Sequence, residues 1–234
     1  MNVKKIYTYK RKAITLLELI VVIIILSLLV GTLGPVVVSQ LKRSCIVATK
    51  NKMEALNEAL QLYYECQFDL PDDLTDLEPE YIRSREYSGD YKEDAWRNTI
   101  AYNRVDSKTA TLTSYGPNRT SGGGDDIVYY VDCSRIFREY KRKTQEALRV
   151  VSKSAMEYLQ DGNSLTSSTT TEDFSSYLPS GDYVYDPWGK KSNPGAKRGN
   201  GQSYHYDTTK KTFYSCGPDG TCGNSDDIYP SGVP

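Results

Sequence analysis

A run of 23 residues without a charge, Leu19 to Leu41, sets the limits on what this chain becomes. It lies within a longer apolar stretch, Ala13 to Leu41, that reads AITLLELIVVIIILSLLVGTLGPVVVSQL and follows a short basic leader. About 20 apolar residues suffice for a helix to cross a bilayer, so the run predicts a membrane-spanning helix. A secretory signal has an apolar core of only about 7–15 residues and a small-x-small cleavage site behind it. This run is too long for that, and Val36 to Lys42 offers no such site. A buried core helix would not be so continuously apolar in a chain of 234 residues. Near the start of the run stands one carboxylate, Glu18. A charge inside a span costs about 2.5–3.5 kcal/mol on insertion scales, so Glu18 needs a partner and a purpose. A plain single-pass anchor explains the length of the run but not Glu18.

The leader carries Lys4, Lys5, Lys10, Arg11 and Lys12, which places the N-terminus in the cytoplasm by the positive-inside rule. Lys42 and Arg43, just beyond the run, partly blunt that contrast. Mean hydropathy is −0.55 in spite of the anchor, so the remainder is polar. Net charge is −1, and loss of the leader takes it to −6 by side-chain count. A mildly acidic head lacks the basic stripe of a nucleic-acid binder, and no nucleic-acid partner is expected. The five cysteines, at 45, 66, 133, 216 and 222, lie beyond the run, where disulfides are allowed. Cys216 and Cys222 share one short loop and are the first candidate pair, with Cys66 and Cys133 second.

After Pro35 the pattern turns amphipathic. Ile46, Met53, Leu56, Leu60 and Tyr63/Tyr64 recur at helical spacing, with Lys50, Lys52, Glu54 and Glu58 between them. The spacing predicts one helix from Ile14 to about Cys66, kinked at Pro35 and ended by Asp69-Leu70-Pro71. Beyond it the sequence repeats. Ser114-Tyr115-Gly116-Pro117-Asn118-Arg119-Thr120 leads to Asp125-Asp126-Ile127, and Ser215-Cys216-Gly217-Pro218-Asp219-Gly220-Thr221 leads to Asp226-Asp227-Ile228, at a constant offset of 101 residues. Upstream, Asp94-Ala95-Trp96 matches Asp186-Pro187-Trp188 at an offset of 92, so the second copy carries about nine extra residues, assigned to the loop Lys190 to Gly201. Hairpin-like stretches precede each serine: 100–103 with 110–113, and 203–206 with 212–214. A helix precedes each copy, the second spanning Arg135 to about Leu159 with Ile136, Tyr140, Ala147, Val150, Val151 and Met156 as its apolar stripe. The Ser/Thr-rich stretch Gly162 to Ser176 reads as a solvated loop, and Trp96 and Trp188 as core anchors.

The segment Lys12-Ala13-Ile14-Thr15-Leu16-Leu17-Glu18 resembles the class III signal of type IV pilins and type II secretion pseudopilins. The resemblance implies that a prepilin peptidase cuts between Ala13 and Ile14 and methylates the new terminus. Glu18 then becomes the fifth mature residue, and Pro35 falls at mature position 22, where relatives often carry a helix-kinking proline. Family members usually have glycine before the cut, where this chain has Ala13. It further implies assembly with other such subunits by inner-membrane machinery.

Calcium takes about six to eight oxygens from carboxylates, hydroxyls and carbonyls, and a Gly/Asp/Ser-rich loop folds them around one ion. The second loop resembles the C-terminal calcium loop of the major pseudopilin of type II secretion. Carried over by position, the candidate ligands are the Cys216 carbonyl and the side chains of Asp219, Asp226 and Asp227. In the first loop the corresponding positions are Tyr115, Asn118, Asp125 and Asp126, with Arg119 opposing a cation. The other reading of both loops is a turn whose aspartates cap backbone amides without metal. Zinc is disfavoured, because Cys216 and Cys222 have no second nearby pair. Enzyme chemistry finds no support. The single histidine, His205, sits in a tyrosine-rich strand, and no nucleophile–base pair, HExxH, P-loop or GxGxxG occurs.

The expected fold is α+β: a long N-terminal transmembrane and amphipathic helix, then two small pilin-like modules, each a helix plus antiparallel sheet closed by an Asp/Gly-rich loop. The boundaries are a basic leader 1–13, a transmembrane helix 14–40, and modules 41–132 and 133–234. The expected function is a structural subunit of a type II secretion or type IV pilus-like filament, with its head in the periplasm or outside. The alternative is a membrane-tethered extracellular binding protein, an adhesin, that never polymerises.

Overall fold

The computed structural model describes residues 15–82 and 90–232, so the leader and the predicted cut at Ala13 and Ile14 lie outside the described residues. The chain divides into two compact units, 1–47 and 48–234. Helix α1 spans Leu16–Gln67. It opens on a capping box: the Thr15 hydroxyl accepts from the Glu18 N–H at 3.3 Å, and the Glu18 carboxylate accepts from the Thr15 N–H at 3.4 Å. The kink expected near Pro35 is present, since Leu16–Gly31 and Val36–Gln67 meet at 42°. Among the described residues no single straight helix is long and apolar enough to cross a membrane, while this bent pair meets the test together. Leu16–Gly31 alone is roughly 24 Å long, short of the hydrocarbon core. Every described side chain from Thr15 to Ser44 is exposed, Leu16 at 77% and Val30 at 72% among them.

From Thr49 onward the environment of the helix changes. Met53, Leu56, Leu60 and Tyr64 form a buried stripe against a three-stranded antiparallel sheet, β1 (Ala101–Arg104), β2 (Thr109–Ser114) and β3 (Ile127–Asp132), in the order β1-β2-β3. Strand β2 alternates, with Ala110, Leu112 and Ser114 inward and three threonines half-buried. This first core adds Ile100, Val131, Leu74 and Leu77. Strand β3 was not foreseen, although Ile127-Val128-Tyr129-Tyr130-Val131 is the β-branched and aromatic composition a strand favours.

The second core forms on α2 (Ser134–Gln160), close to the expected span. Its stripe is rotated from the one expected: Thr144, Leu148, Val151 and Ala155 are buried, whereas Met156 is 62% exposed and Val150 only half-buried. Phe174, Trp188, Tyr204, Phe213 and Ile228 complete it. Its sheet is smaller, with β4 (His205–Asp207) paired to β5 (Thr212–Tyr214). Ser215 bridges Ile228, as Ser114 pairs with Ile127 in the first sheet, but no strand continues. Pro230 follows two residues later, and proline has no N–H for a ladder. Trp188 is buried as foreseen, but Trp96 is only half-buried. The Ser/Thr-rich stretch is not simply solvated. Thr169 and Thr171 are buried, the Thr171 hydroxyl bonds the Val184 carbonyl and accepts from the Tyr204 N–H, and Phe174 is fully enclosed.

The loop Lys190 to Gly201 reaches the C-terminus of α1. The last turn of that helix has no basic residue of its own, and its carbonyls need donors. Arg198 donates to the Glu65 carbonyl and the Tyr140 hydroxyl, both at 2.8 Å, while the Lys191 N–H reaches the Cys66 carbonyl at 2.9 Å. The guanidinium also lies over the rings of Phe68 and Tyr140 at 4.7 and 4.9 Å. Phe68 adopts φ +58°, which costs a non-glycine residue about 1–2 kcal/mol. That conformation puts its ring edge-on to Tyr140 and Trp188, in the second core rather than the first.

Arg198→Ala is expected to lower unfolding stability of the full chain by about 2–3 kcal/mol, from charged hydrogen bonds and ring stacking lost together. Arg198→Lys should recover only a minor part, because an ammonium has no second arm to reach the Gly189 carbonyl, as Nη1 does at 2.6 Å while Nη2 serves Glu65 and Tyr140, and no plane to lay on the rings. Urea denaturation in detergent measures both; an unchanged midpoint in Arg198→Ala overturns the clamp.

Candidate functional site

Each acidic loop starts from a buried carboxylate. Asp94 and Asp186 are 2% and 4% exposed. Asp94 Oδ1 accepts from the N–H groups of Trp96 and Asn98, both at 2.8 Å, and Asp186 Oδ1 from those of Trp188 and Gln202. The other oxygen accepts the hydroxyl of the serine that ends the hairpin, Ser114 at 2.7 Å and Ser215 at 2.6 Å. That serine accepts in turn from the N–H of Gly116 or Gly217. Both glycines have positive φ, +63° and +70°, and a Cβ there would sit 2.7 or 2.4 Å from the backbone oxygen of Asp125 or Asp226. Sequence reading found Asp94, Asp186 and both serines as repeated letters but not the bond between them. The signal was their recurrence as a pair in both copies.

Beyond the glycine the loops match bond for bond. The N–H of Asn118 or Asp219 donates to Asp125 Oδ2 or Asp226 Oδ2, at 3.3 and 3.4 Å. The N–H of Thr120 or Thr221 donates back to residue 118 or 219, at 2.7 and 2.6 Å. The N–H of Gly122 or Gly223 donates to Asp126 Oδ2 or Asp227 Oδ2, at 2.8 and 2.9 Å. In each loop the remaining oxygen of that last aspartate, Asp126 Oδ1 or Asp227 Oδ1, is buried without a hydrogen-bond partner.

The loops differ in how their charge is met. In the first, the Asn118 amide donates to Asp125 Oδ1, so a neutral donor occupies that carboxylate. Arg119 is exposed there at φ +62°, and Tyr115 is half-buried at the position of Cys216. In the second, Asp219, Asp226 and Asp227 converge, and among the described residues none has a cationic side chain within ion-pair distance. Only Asn224, not singled out from sequence, gives its amide to Asp219 at 2.8 Å. Burial first, then the negative charge of Asp226 and Asp219, raises the Asp227 carboxyl above its usual range. A disulfide joins Cys216 to Cys222 across this loop. It also consumes the thiols of the His205, Cys216 and Cys222 group, whose ligand atoms lie within 4.8 Å of one another. Cys66 and Cys133 are both buried free thiols, so the second candidate pair is not formed. His205 faces Tyr214 across the β4–β5 pair as a cross-strand neighbour. An all-oxygen donor set with an orphaned buried carboxylate oxygen and no counter-charge fits a hard divalent cation in the second loop. The first loop fits it less well.

Burial pushes the Asp186 carboxyl from 3.8 up to about 6. The folded state therefore holds a proton that the unfolded chain has lost, and stability falls as pH rises between about 4 and 6. The shift corresponds to no more than about 3 kcal/mol, and Asp227 adds to it in the same sense. Asp73, Asp106, Asp132 and Asp207, held low by hydrogen bonds, act the other way and only at more acidic pH. In Asp186→Asn the amide oxygen still accepts both N–H groups and Ser215 rotates to accept. Urea midpoints at pH 4.5 and pH 7 should then draw together; a slope equal to that of the parent chain overturns the assignment.

Residues 36–130 match the family model described as type II secretion system (T2SS), protein G. No curated protein matches the chain. No solved structure matches it.

Proposed function

We propose, from the match of residues 36–130 to the protein G family of the type II secretion system, that this chain is a filament subunit built from a membrane helix and a duplicated pseudopilin head. The observation that carries the reading is the state of α1 before Thr49. Its described Leu, Ile and Val side chains from Leu16 to Val47 are exposed, with one carboxylate, Glu18, in the first turn. So large an apolar surface requires lipid or other helices around it. In the membrane, lipid covers it; in a filament, the same helices of neighbouring subunits do. The leader is removed between Ala13 and Ile14, and the new amine of one subunit pairs with Glu18 of the next. That pairing offsets the cost of the buried carboxylate and fixes the register between subunits. The partners are accordingly other subunits of this kind, a prepilin peptidase and inner-membrane assembly machinery, with the head beyond the membrane.

Glu18 also serves as the third residue of the capping box, so its truncation mixes two effects. Glutamine serves that box as well as glutamate, and Glu18→Gln removes the charge alone. Membrane insertion of Glu18→Gln should match the parent, while its recovery in sheared filaments falls at least about tenfold, as loss of a buried ion-pair partner implies. Mass spectrometry of the parent should find a methylated Ile14 as first residue. Glu18→Gln filaments in normal yield, or a native chain still starting at Met1, would refute the reading.

The duplicated loops have different assignments within it. We assign a calcium ion to the second, with the carboxylates of Asp219, Asp226 and Asp227 and the Cys216 carbonyl as ligands. The ion supplies the positive charge that those carboxylates lack and so holds the end of the chain. At a calcium concentration a hundredfold above its Kd, the thermal midpoint should rise by roughly 5–10 °C. Asp227→Asn should lose most of that rise and Asp126→Asn should keep it. A midpoint indifferent to chelator removes calcium from the account.

A further inference from the structure

The outward face of α2 carries a row of like charge. Over Ser134–Gln160 seven residues are basic and three acidic. Arg135, Arg138, Arg142, Arg149 and Lys153 fall within about 60° of arc and about 27 Å of helix length. All five are exposed, opposite the buried Leu148, Val151 and Ala155. Arg142 is answered by Glu146 at 2.6 Å, and Lys143, beside the row, by Glu139 at 2.9 Å. Among the described residues the other four cations of the row have no carboxylate within ion-pair distance. Like charges one helical turn apart repel, as Arg135 and Arg138 do, and Arg149 and Lys153. A counter-charge from outside the chain removes that repulsion.

The first module presents such a counter-charge. Between 69 and 90 the sequence holds eight carboxylates against two arginines, Arg83 and Arg85, which lie outside the described residues. Arg104 takes Asp69 and Asp72, at 2.6 and 2.7 Å. Asp73, Asp76 and Glu80 are exposed, and among the described residues no cationic side chain lies within ion-pair distance of them. The backbone beneath them is anchored. Leu74 and Leu77 are buried, and a capping box of Asp73 and Asp76 closes the single turn Leu74–Leu77. Both surfaces lie in one compact unit, 48–234, yet among its described residues no ion pair joins them within the chain. The acidic turn falls inside the residues that match the family, and α2 falls outside them.

We propose that the basic row of α2 docks on the acidic turn 72–80 of a second copy of this chain. A copy is the occupant because the chain itself carries both halves of the complement. Its other concentration of carboxylates, at 219–227, is assigned to calcium. Row and turn are different surfaces, so the contact is heterologous, and each copy keeps one of each open for the next. The contact rests on the filament reading above and adds to it a junction between heads, beside the one between apolar helices. Complementary charge gives such a junction its orientation and register more than its strength.

The test uses the full chain in an uncharged detergent, at one chain per micelle and low salt, with self-association read by analytical ultracentrifugation. The parent should associate, and about 1 M salt, where the screening length is about 3 Å, should abolish the association. Reversing the row (Arg138→Glu with Arg149→Glu) or the turn (Asp76→Lys with Glu80→Lys) should each weaken it at least about tenfold, since two attractions become repulsions. The two reversed chains mixed in equal amounts should associate again, because the intact row of one then finds the intact turn of the other. Glu80→Lys, which leaves the capping box whole, replaces the double variant if that one lowers the thermal midpoint. A parent that stays monomeric, association that survives either reversal, or a mixture no tighter than its components overturns the proposal. Association that appears only when phosphatidylglycerol is added to the micelles assigns the row to lipid and overturns it as well. These readings need no filament, so a failure here leaves the outcomes at Glu18 and Ile14 untouched, and a failure there leaves this contact to be read.

Discussion

Each half of the head rests on one buried hydrogen bond, from a serine hydroxyl to an aspartate carboxylate. Among the described residues neither Asp94 nor Asp186 has a cationic side chain within ion-pair distance, and a lone buried carboxylate is costly. Two backbone N–H groups and one hydroxyl satisfy each of them instead, as charge-assisted bonds, and at Asp94 the Asn98 amide adds a fourth. The geometry of three donors around one carboxylate fixes three things together. It sets the turn after the Asp-x-Trp segment, the end of the hairpin strand, and the point at which the acidic loop departs. With the serine held, the following glycine is forced into a positive φ, and the loop closes so tightly over Asp125 or Asp226 that no side chain fits there.

The same helix serves two environments, which explains why the chain divides near Val47 and not at a loop. Up to Val38 its described surface is mostly apolar and unburied; from Thr49 its apolar residues face the first core. The helix has no intrinsic reason to stop at the boundary, since no glycine or proline occurs between Val36 and Gln67. It stops where Phe68 turns away into the second core, with the guanidinium of Arg198 taking the Glu65 carbonyl and the Lys191 N–H that of Cys66. A helix end that lies inside packed protein needs such donors, because water cannot supply them.

Much of this was legible in the residues. The span of both helices and the two hairpins followed from periodicity and composition, and the two acidic loops from letters recurring at a fixed offset. What escaped was set by tertiary contacts. The face of α2 was misjudged because Leu148 and Ala155, not Val150 and Met156, meet Phe174 and Phe213, and a periodicity of 3.6 tolerates either choice over seven turns. The Ser/Thr-rich stretch read as loop because its composition is polar, yet Thr171 satisfies two buried backbone groups that nothing nearby in sequence announces. In the acidic loops the carboxylates were found by type. The asparagine that partners one of them, Asn224, was not, since a lone amide carries no pattern.

Where the two acidic loops depart from each other, the physical consequences run in one direction. The first loop answers its charge internally: the Asn118 amide meets Asp125, and the strand after it continues for six residues and binds the loop to a full sheet. The second replaces that amide by the carboxylate of Asp219 and, with Pro230, gives up the strand. It thereby gains negative charge while losing backbone support. A loop altered in both respects tends to open, because three like charges repel and only one backbone bridge, Ser215 to Ile228, remains to hold its ends. The Cys216–Cys222 bond spans the same loop and limits how far it opens. It does nothing for the charge. The covalent tie and a trio of carboxylates with no cationic side chain within ion-pair distance among the described residues are the two features that set this loop apart from the first.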